Sequence, residues 1–275
     1  ADQPVTARSV LTAVMGNVGA AISAHETADL EREKAASIRT LAAEYETIAH
    51  HAQTPRWTSM FTRAGLTPTQ VDAITASPAF GALSTALRRA EAHGLNVDAA
   101  LPRLLDRVDA GTVDLAAVLH QRVERWTDMS GSSASPSRGF VLGLLPAATA
   151  DNPEVVAALT ERVHLLEQRA DELIDRARTA NAPWFAQLGP EPADPQNAAS
   201  WRARARTVVA HRERHQITDP WSALGTADGG QAQQRREEAI AARALTDLSP
   251  STATAPTRSA PVSPASHAHA NAIGR

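Results

Sequence analysis

His211 and His215, in the string HRERH, stand four residues apart. That spacing puts two imidazoles on one face of a helix, where they can seat a divalent metal. The motif is not HExxH. Its glutamate, Glu213, occupies the middle position and projects to another side, and no third ligand is identifiable. A solvated or partly packed helical face is the expected reading, so no metal site is assigned. His50-His51 addresses two faces, and His267-Ala268-His269 lies in a tail without a strand to aim both rings. Just before HRERH comes WRARAR, residues 201–206. Arg202 and Arg206 share one helix face, and Arg204 lies to the side. With Arg212 they form a basic row that can follow a phosphate backbone while Trp201 stacks on a base. Trp201, Arg202, Arg206 and Arg212 are therefore the candidate contacts to single-stranded DNA. The competing reading is a solvated helix with internal ion pairs, favoured by a formal net charge of −3 and the small size of the cluster.

Other chemistries fail on composition. Lys34 is the only lysine among 27 basic residues, and it sits in EREKAAS, a helical string without glycine. A phosphate-binding loop needs glycines leading to a lysine, so ATP hydrolysis of that type is excluded. Tyr45, the single tyrosine, falls on an apolar stripe and reads as packing, not as a nucleophile for strand transfer. There is no cysteine, which removes disulfides, thiolate nucleophiles and Cys-ligated zinc. No G-x-S-x-G elbow or glycine-rich dinucleotide loop occurs. The acidic residues of ERVHLLEQRADELIDRAR sit beside arginines at ion-pair spacing instead of forming an acid/base pair. The expectation is no catalytic residue and no cofactor.

The elements that must carry these residues are helical. Hydrophobic residues make up 43% of the 275, but aromatics only 4%, so alanine and leucine must supply most buried surface, which suits helix packing better than sheets. Thr6 caps a first helix over roughly residues 7–22, and Ser23 with Glu26 forms a capping box. A long helix is expected over roughly 24–53, about 45 Å at ~1.5 Å per residue, striped by Ile38, Leu41, Tyr45, Ile48 and Ala52. Pro55 restarts the chain in a short helix with Trp57, Met60 and Phe61, closed by Gly65. Further helices start at Thr67-Pro68, with Gln70 completing a cap, and at Ser77-Pro78, with Arg88, Arg89 and His93 near its C-terminal dipole. Others cover roughly 98–107 and 113–128.

SGSSASPSRG, residues 130–139, reads as a linker, followed by FVLGLLP, which can dock as a loop or strand. Asn152-Pro153 opens a second long helix to about Ala180, with Val156, Leu159, Val163, Leu166, Ala170, Leu173 and Ala177 at 3/4 spacing. Asn181, Pro183 and Gly189 frame a turn in which Trp184, Phe185 and Leu188 plug the bend of a helical hairpin. Asp194-Pro195 caps the return helix, 195–216. From Thr226 onward a marginal helix and a disordered tail are expected. No apolar run reaches the ~20 residues of a membrane span, and no signal peptide is visible. Ala1 leaves open whether the chain is complete or part of something longer. The fold class is all-α: long antiparallel helical hairpins with short capped helices, divided into an N-terminal unit 1–129, a linker 130–152, a hairpin 153–225 and a tail 226–275.

Seven strings, taken in order, carry a resemblance: TARSVLTAVMGNVGAAISAHET, LAAEYETIAHHA with RW after it, SPAFGALSTALRRAEAHG, AVLHQRVERW, LTERVHLLEQRADELIDRA, PWFAQLGPEPADP and WRARARTVVAHRERHQIT. They resemble the C-terminal region of actinobacterial conjugative relaxases of the MobF class, downstream of the helicase motor, over about residues 4–225. Within the set, PW..LGP.P.DP followed by W.......VA.R....I is the most specific part. The resemblance implies an all-α, non-catalytic, cytoplasmic region of a DNA-transfer protein. The family's nicking tyrosine, metal-binding histidines and ATP site lie upstream of this region, and none matches a position here. Where the family often carries an aromatic, this chain has His211. The implied partners are relaxosome components or coupling and secretion proteins, with single-stranded DNA as the alternative.

Overall fold

The computed structural model describes residues 24–106, 114–130, 139–226 and 232–248. The expected helix over 7–22, the caps at Thr6 and Ser23, residues 131–138 of the linker and the tail from 249 with its two histidines lie outside the described residues. Among the described residues the fold is all-α apart from one hairpin of two-residue strands.

The expected 24–53 helix is two helices. α1 covers Ala24–Ala35, and α2 covers Ile38–Arg63. Ser37 is the reason for the break: its extended backbone and side chain cap α2 by accepting from the Thr40 amide. A distant carboxylate, Glu213, accepts from the Ile38 amide at 2.8 Å. At the other end α2 does not stop at Pro55 but runs through it. An interior proline costs about 3 kcal/mol. Trp57, Met60 and Phe61, buried two to six residues beyond it, return about 1.5–3 kcal/mol each. Continuing the rod through the proline is what lets α2 enter two cores.

α3 (Pro68–Ala76) begins with the expected box, Thr67 and Gln70 capping each other. It leads to α4 (Phe80–Ala92), α5 (Val97–Leu105) and α6 (Leu115–Ser130). These pack with the second half of α2 around Trp57, Phe61, Leu83, Leu87 and Leu119. Strands β1 (Phe140–Val141) and β2 (Leu145–Pro146) pair antiparallel, with Val141 opposite Leu145. Leu142 and Gly143 both take positive φ in the turn, 51° and 72°. A Cβ on Gly143 would lie 2.7 Å from Thr207 Oγ1, so only glycine fits that approach.

α7 (Pro153–Thr179), a 3₁₀ helix (Pro183–Leu188) and α8 (Pro195–Arg214) form the expected hairpin, capped at Asn152 and Asp194. Leu159, Leu166, Ala170 and Ala177 of the α7 stripe are buried, while Val156 is exposed. The segment expected to be a marginal helix is α9 (Ala232–Leu248), and it lies along α8 with Glu237, Ala241 and Leu248 buried. Its polar composition concealed a face that becomes buried by ion pairing as much as by apolar contact.

Hydrophobic residues divide into two clusters, and the division falls inside α2. Ile38 to Ala49 join β1, β2, α7, α8 and α9 in one core, whereas Trp57 to Phe61 join α3–α6 in the other. The boundary expected across 130–152 is not where the cores separate. Val141, Leu142, Leu144 and Leu145, from that segment, are all buried in the first core. Tyr45 holds them: its hydroxyl accepts from the Ala148 amide at 2.9 Å, and the residue is buried.

Candidate functional site

The basic row of α8 is engaged by groups of the chain itself. Trp201 is 4% exposed, and its indole Nε1 donates to the Leu188 carbonyl at 3.0 Å. Phe185 meets it edge-on, with ring centroids 6.4 Å apart. In this position Trp201 is a packing residue that ties α8 to the 3₁₀ helix, and its ring offers no face to a base. Arg206 makes a bidentate pair with Asp171 of α7, at 2.9 and 2.6 Å. Arg202 shares Glu191 with Arg178. Arg212 is buried, donates to the carbonyls of Ile217, Asp219 and Ser222, and lies 4.2 Å over the ring of Trp184. Burial pushes its pKa down, with Asp219 opposing. The four candidate DNA contacts are thus engaged within the chain. Arg204, half exposed, donates to the Ser200 carbonyl at 3.5 Å and approaches Asp247 at 3.8 Å.

The middle glutamate of HRERH does project elsewhere, and to a purpose. Glu213 accepts from Arg169 Nε at 3.1 Å as well as from the Ile38 amide. Arg169, buried on α7, also donates to Glu33 of α1 at 2.6 Å. Glu33 is held down to about 2 by its hydrogen bonds from Arg169 and Arg176. One guanidinium therefore joins α1, α7 and α8. Nothing in the spacing of α7 signalled a buried arginine, since Arg169 lies outside the 3/4 series that steps from Leu166 to Ala170.

His211 and His215 do share a face, with ring centroids 4.9 Å apart. His215 Nε2 lies 2.8 Å from Glu237 of α9, which Arg214 also approaches at 3.4 Å. His211 is buried, and neither ring nitrogen has a hydrogen-bond partner. Burial, then the neighbouring His215, push it down to about 4. It is a neutral core ring. Among the described residues no group of three His, Cys, Asp or Glu side chains is arranged to hold a metal.

The bend of the hairpin carries the exposed aromatics. Trp184 and Phe185 are half-buried and meet edge-on at 5.7 Å, packed against the first core. The loop after α8 returns to them: the Trp184 amide donates to the Pro220 carbonyl at 3.0 Å, and Gln187 Nε2 to the Trp221 carbonyl at 2.5 Å. Trp221 itself is 72% exposed. Asp219 fixes the loop by accepting from the amides of Trp221 and Ser222. The proline-rich string signalled the turn. The position of Trp221 beside it depends on a contact 34 residues long and left no local trace.

Sequence reasoning missed one further feature. A cleft of about 550 Å³ opens between α2, α4, α6 and α9. Gly81, Thr85 and Arg89 form its α4 stripe, at helical spacing. Arg88 and Arg89, expected to complement the helix dipole, are instead 1% and 6% exposed. Both are buried because α4 lies between the two cores, in contact with α2, α6 and β2. Glu124 of α6 receives Arg236 at 2.7 and 2.9 Å and Arg89 at 3.2 Å, with His120 at 3.7 Å. Burial works to raise its pKa, but His120 and the two arginines hold it down at about 2.

No protein-family model matches the sequence, and neither a curated protein nor a solved structure matches it. Among the described residues no helix is long and apolar enough to cross a membrane.

Proposed function

We propose that this chain is a non-catalytic helical region of a conjugative relaxase–helicase, working in the cytoplasm as a docking module. Its partners in this reading are relaxosome components or the coupling and secretion proteins. The ordered strings from TARSVLTAV to HRERHQIT support the family assignment. The observation that supports docking is the aromatic bend. Trp221 is largely exposed while its backbone is anchored to the 3₁₀ helix bearing Trp184 and Phe185. A large aromatic held rigidly at the surface loses little entropy on binding and is the type of residue that dominates interfaces.

Two experiments test this reading. The coding sequence immediately upstream should carry helicase motifs in frame; a promoter and start codon there would remove the family assignment. Surface-immobilised chain should capture purified relaxosome or coupling proteins, with Trp221→Ala weakening capture by tenfold or more, about 1.4 kcal/mol. Unchanged capture by the variant would place the interface elsewhere. The alternative, direct binding of single-stranded DNA by Trp201, Arg202, Arg206 and Arg212, is the weaker reading, because DNA would have to compete with a partner within the chain for each of these groups.

A further inference from the structure

The cleft between α2, α4, α6 and α9 stands apart from the aromatic bend, and its inference rests on no part of the docking reading. Its arginines are poorly served. Arg89, 94% buried by its 6% exposure, has an Nε with no hydrogen-bond partner. Its Nη1 reaches only a Glu124 oxygen that Arg236 already holds at shorter range, 2.7 Å against 3.2 Å. Arg88, next to it, donates to two uncharged acceptors, the Pro146 carbonyl at 3.2 Å and Thr85 Oγ1 at 3.0 Å, and its Nε is also unpartnered.

The carboxylates around these groups are already taken: Arg89 and Arg236 share the cleft lining with Glu46 and Glu124. Glu46 and Glu237 are both engaged by Arg214, and Glu237 by His215 as well. Asp128 touches Arg236 at 3.4 Å but is 60% exposed and adds little. A buried guanidinium without its acceptors is costly, and the missing acceptors are what an oxyanion provides, bidentately. The space is also present. The cleft volume of about 550 Å³ suits a small organic molecule.

We infer that this cleft binds a small anionic ligand, its phosphate or carboxylate group received by Arg89 together with Arg236. His50 also lines the cleft, from α2, and its Nδ1 is buried and unpartnered. Burial, then His51 and Arg88, lower the pKa of His50, so the imidazole is neutral at pH 7.

Isothermal titration of the full chain with inorganic phosphate, pyrophosphate and citrate tests this, with ionic strength held constant by sodium chloride. At least one of the three should bind saturably at a single site. Preference for phosphate and pyrophosphate over citrate would identify a phosphate ligand, and the reverse a carboxylate. Arg89→Gln should weaken binding by about tenfold or more, the scale of a lost hydrogen bond to a charged group. Gly81→Leu is the second variant, useful if the buried arginine is needed for folding. A Cβ there meets nothing within 4 Å, so the longer side chain enters the cleft without displacing the helix. It should weaken binding comparably while leaving the circular dichroism unchanged. Heats no larger than those of chloride for all three anions, or undiminished binding by folded Gly81→Leu protein, would overturn the inference.

Discussion

The arginines of α7 and α8 and those of α4 have the same chemistry and opposite circumstances. Arg169 and Arg206 each meet carboxylates in short, multidentate contacts. Arg88 and Arg89 are buried as deeply as Arg169, yet each keeps an unpartnered Nε and neither has a carboxylate to itself. Saturated guanidiniums act as ties between helices. Guanidiniums left short of acceptors, beside a cleft, are where an external anion gains most. Basic residue type alone does not separate the two roles; the acceptors around each group do.

The largest effect should come from breaking a saturated tie. Arg169→Ala leaves Glu213 and Glu33 without their shared cation and should lower stability by about 3–5 kcal/mol, read as a shift in the urea midpoint. A loss under about 1 kcal/mol would mean that the three-helix junction is held by packing alone.

Next is the acid side of the stability profile. The folded chain holds His211 at about 4, against 6.5 for the free side chain. Between these values the unfolded chain binds a proton that the folded chain does not. Stability is therefore full above pH 6.5 and falls as pH drops toward 4, by about 3 kcal/mol at most. His211→Phe should remove this limb. A second loss, as pH falls from 4.5 toward 2, should survive in the variant, because it belongs to Glu33 and Glu124 with their arginines. An unchanged profile from pH 6.5 to 4 in the Phe variant would show that His211 is not held neutral by burial.

Smaller still is Arg206→Ala, which removes one partly exposed bidentate pair and should cost about 1 kcal/mol. Arg89→Met should cost least. It exchanges a poorly bonded buried charge for an apolar side chain of similar length, a change that is often neutral or stabilising. A loss above about 2 kcal/mol for Arg89→Met would erase the contrast with Arg169.

Much of the architecture is legible from local chemistry. The caps at Thr67, Asn152 and Asp194 appear where their strings place them, and Leu41, Tyr45, Leu159, Leu166 and Ala170 are buried as their spacing requires. The misreadings share a cause. The break before Ile38 combines a local cap at Ser37 with Glu213, 175 residues away. The passage of α2 through Pro55 depends on two cores that each claim one half of the helix. α9 looked marginal because its buried Glu237 is an unfavourable core residue until His215 and Arg214 meet it. The candidate DNA row illustrates the same limit. Helical spacing placed Arg202 and Arg206 on one face, but only the fold reveals that this face meets Asp171 and Glu191.

The claim that the basic helix is an internal strut is tested most directly by titrating fluorescent single-stranded DNA with the full chain at 50 and 200 mM salt, measuring anisotropy. If the arginines of α8 are occupied by carboxylates and carbonyls, the anisotropy stays flat at both concentrations. Binding that is strong at the lower salt, collapses at the higher, and is lost in Arg202→Ala would contradict the account and return that helix to the role of a nucleic-acid surface.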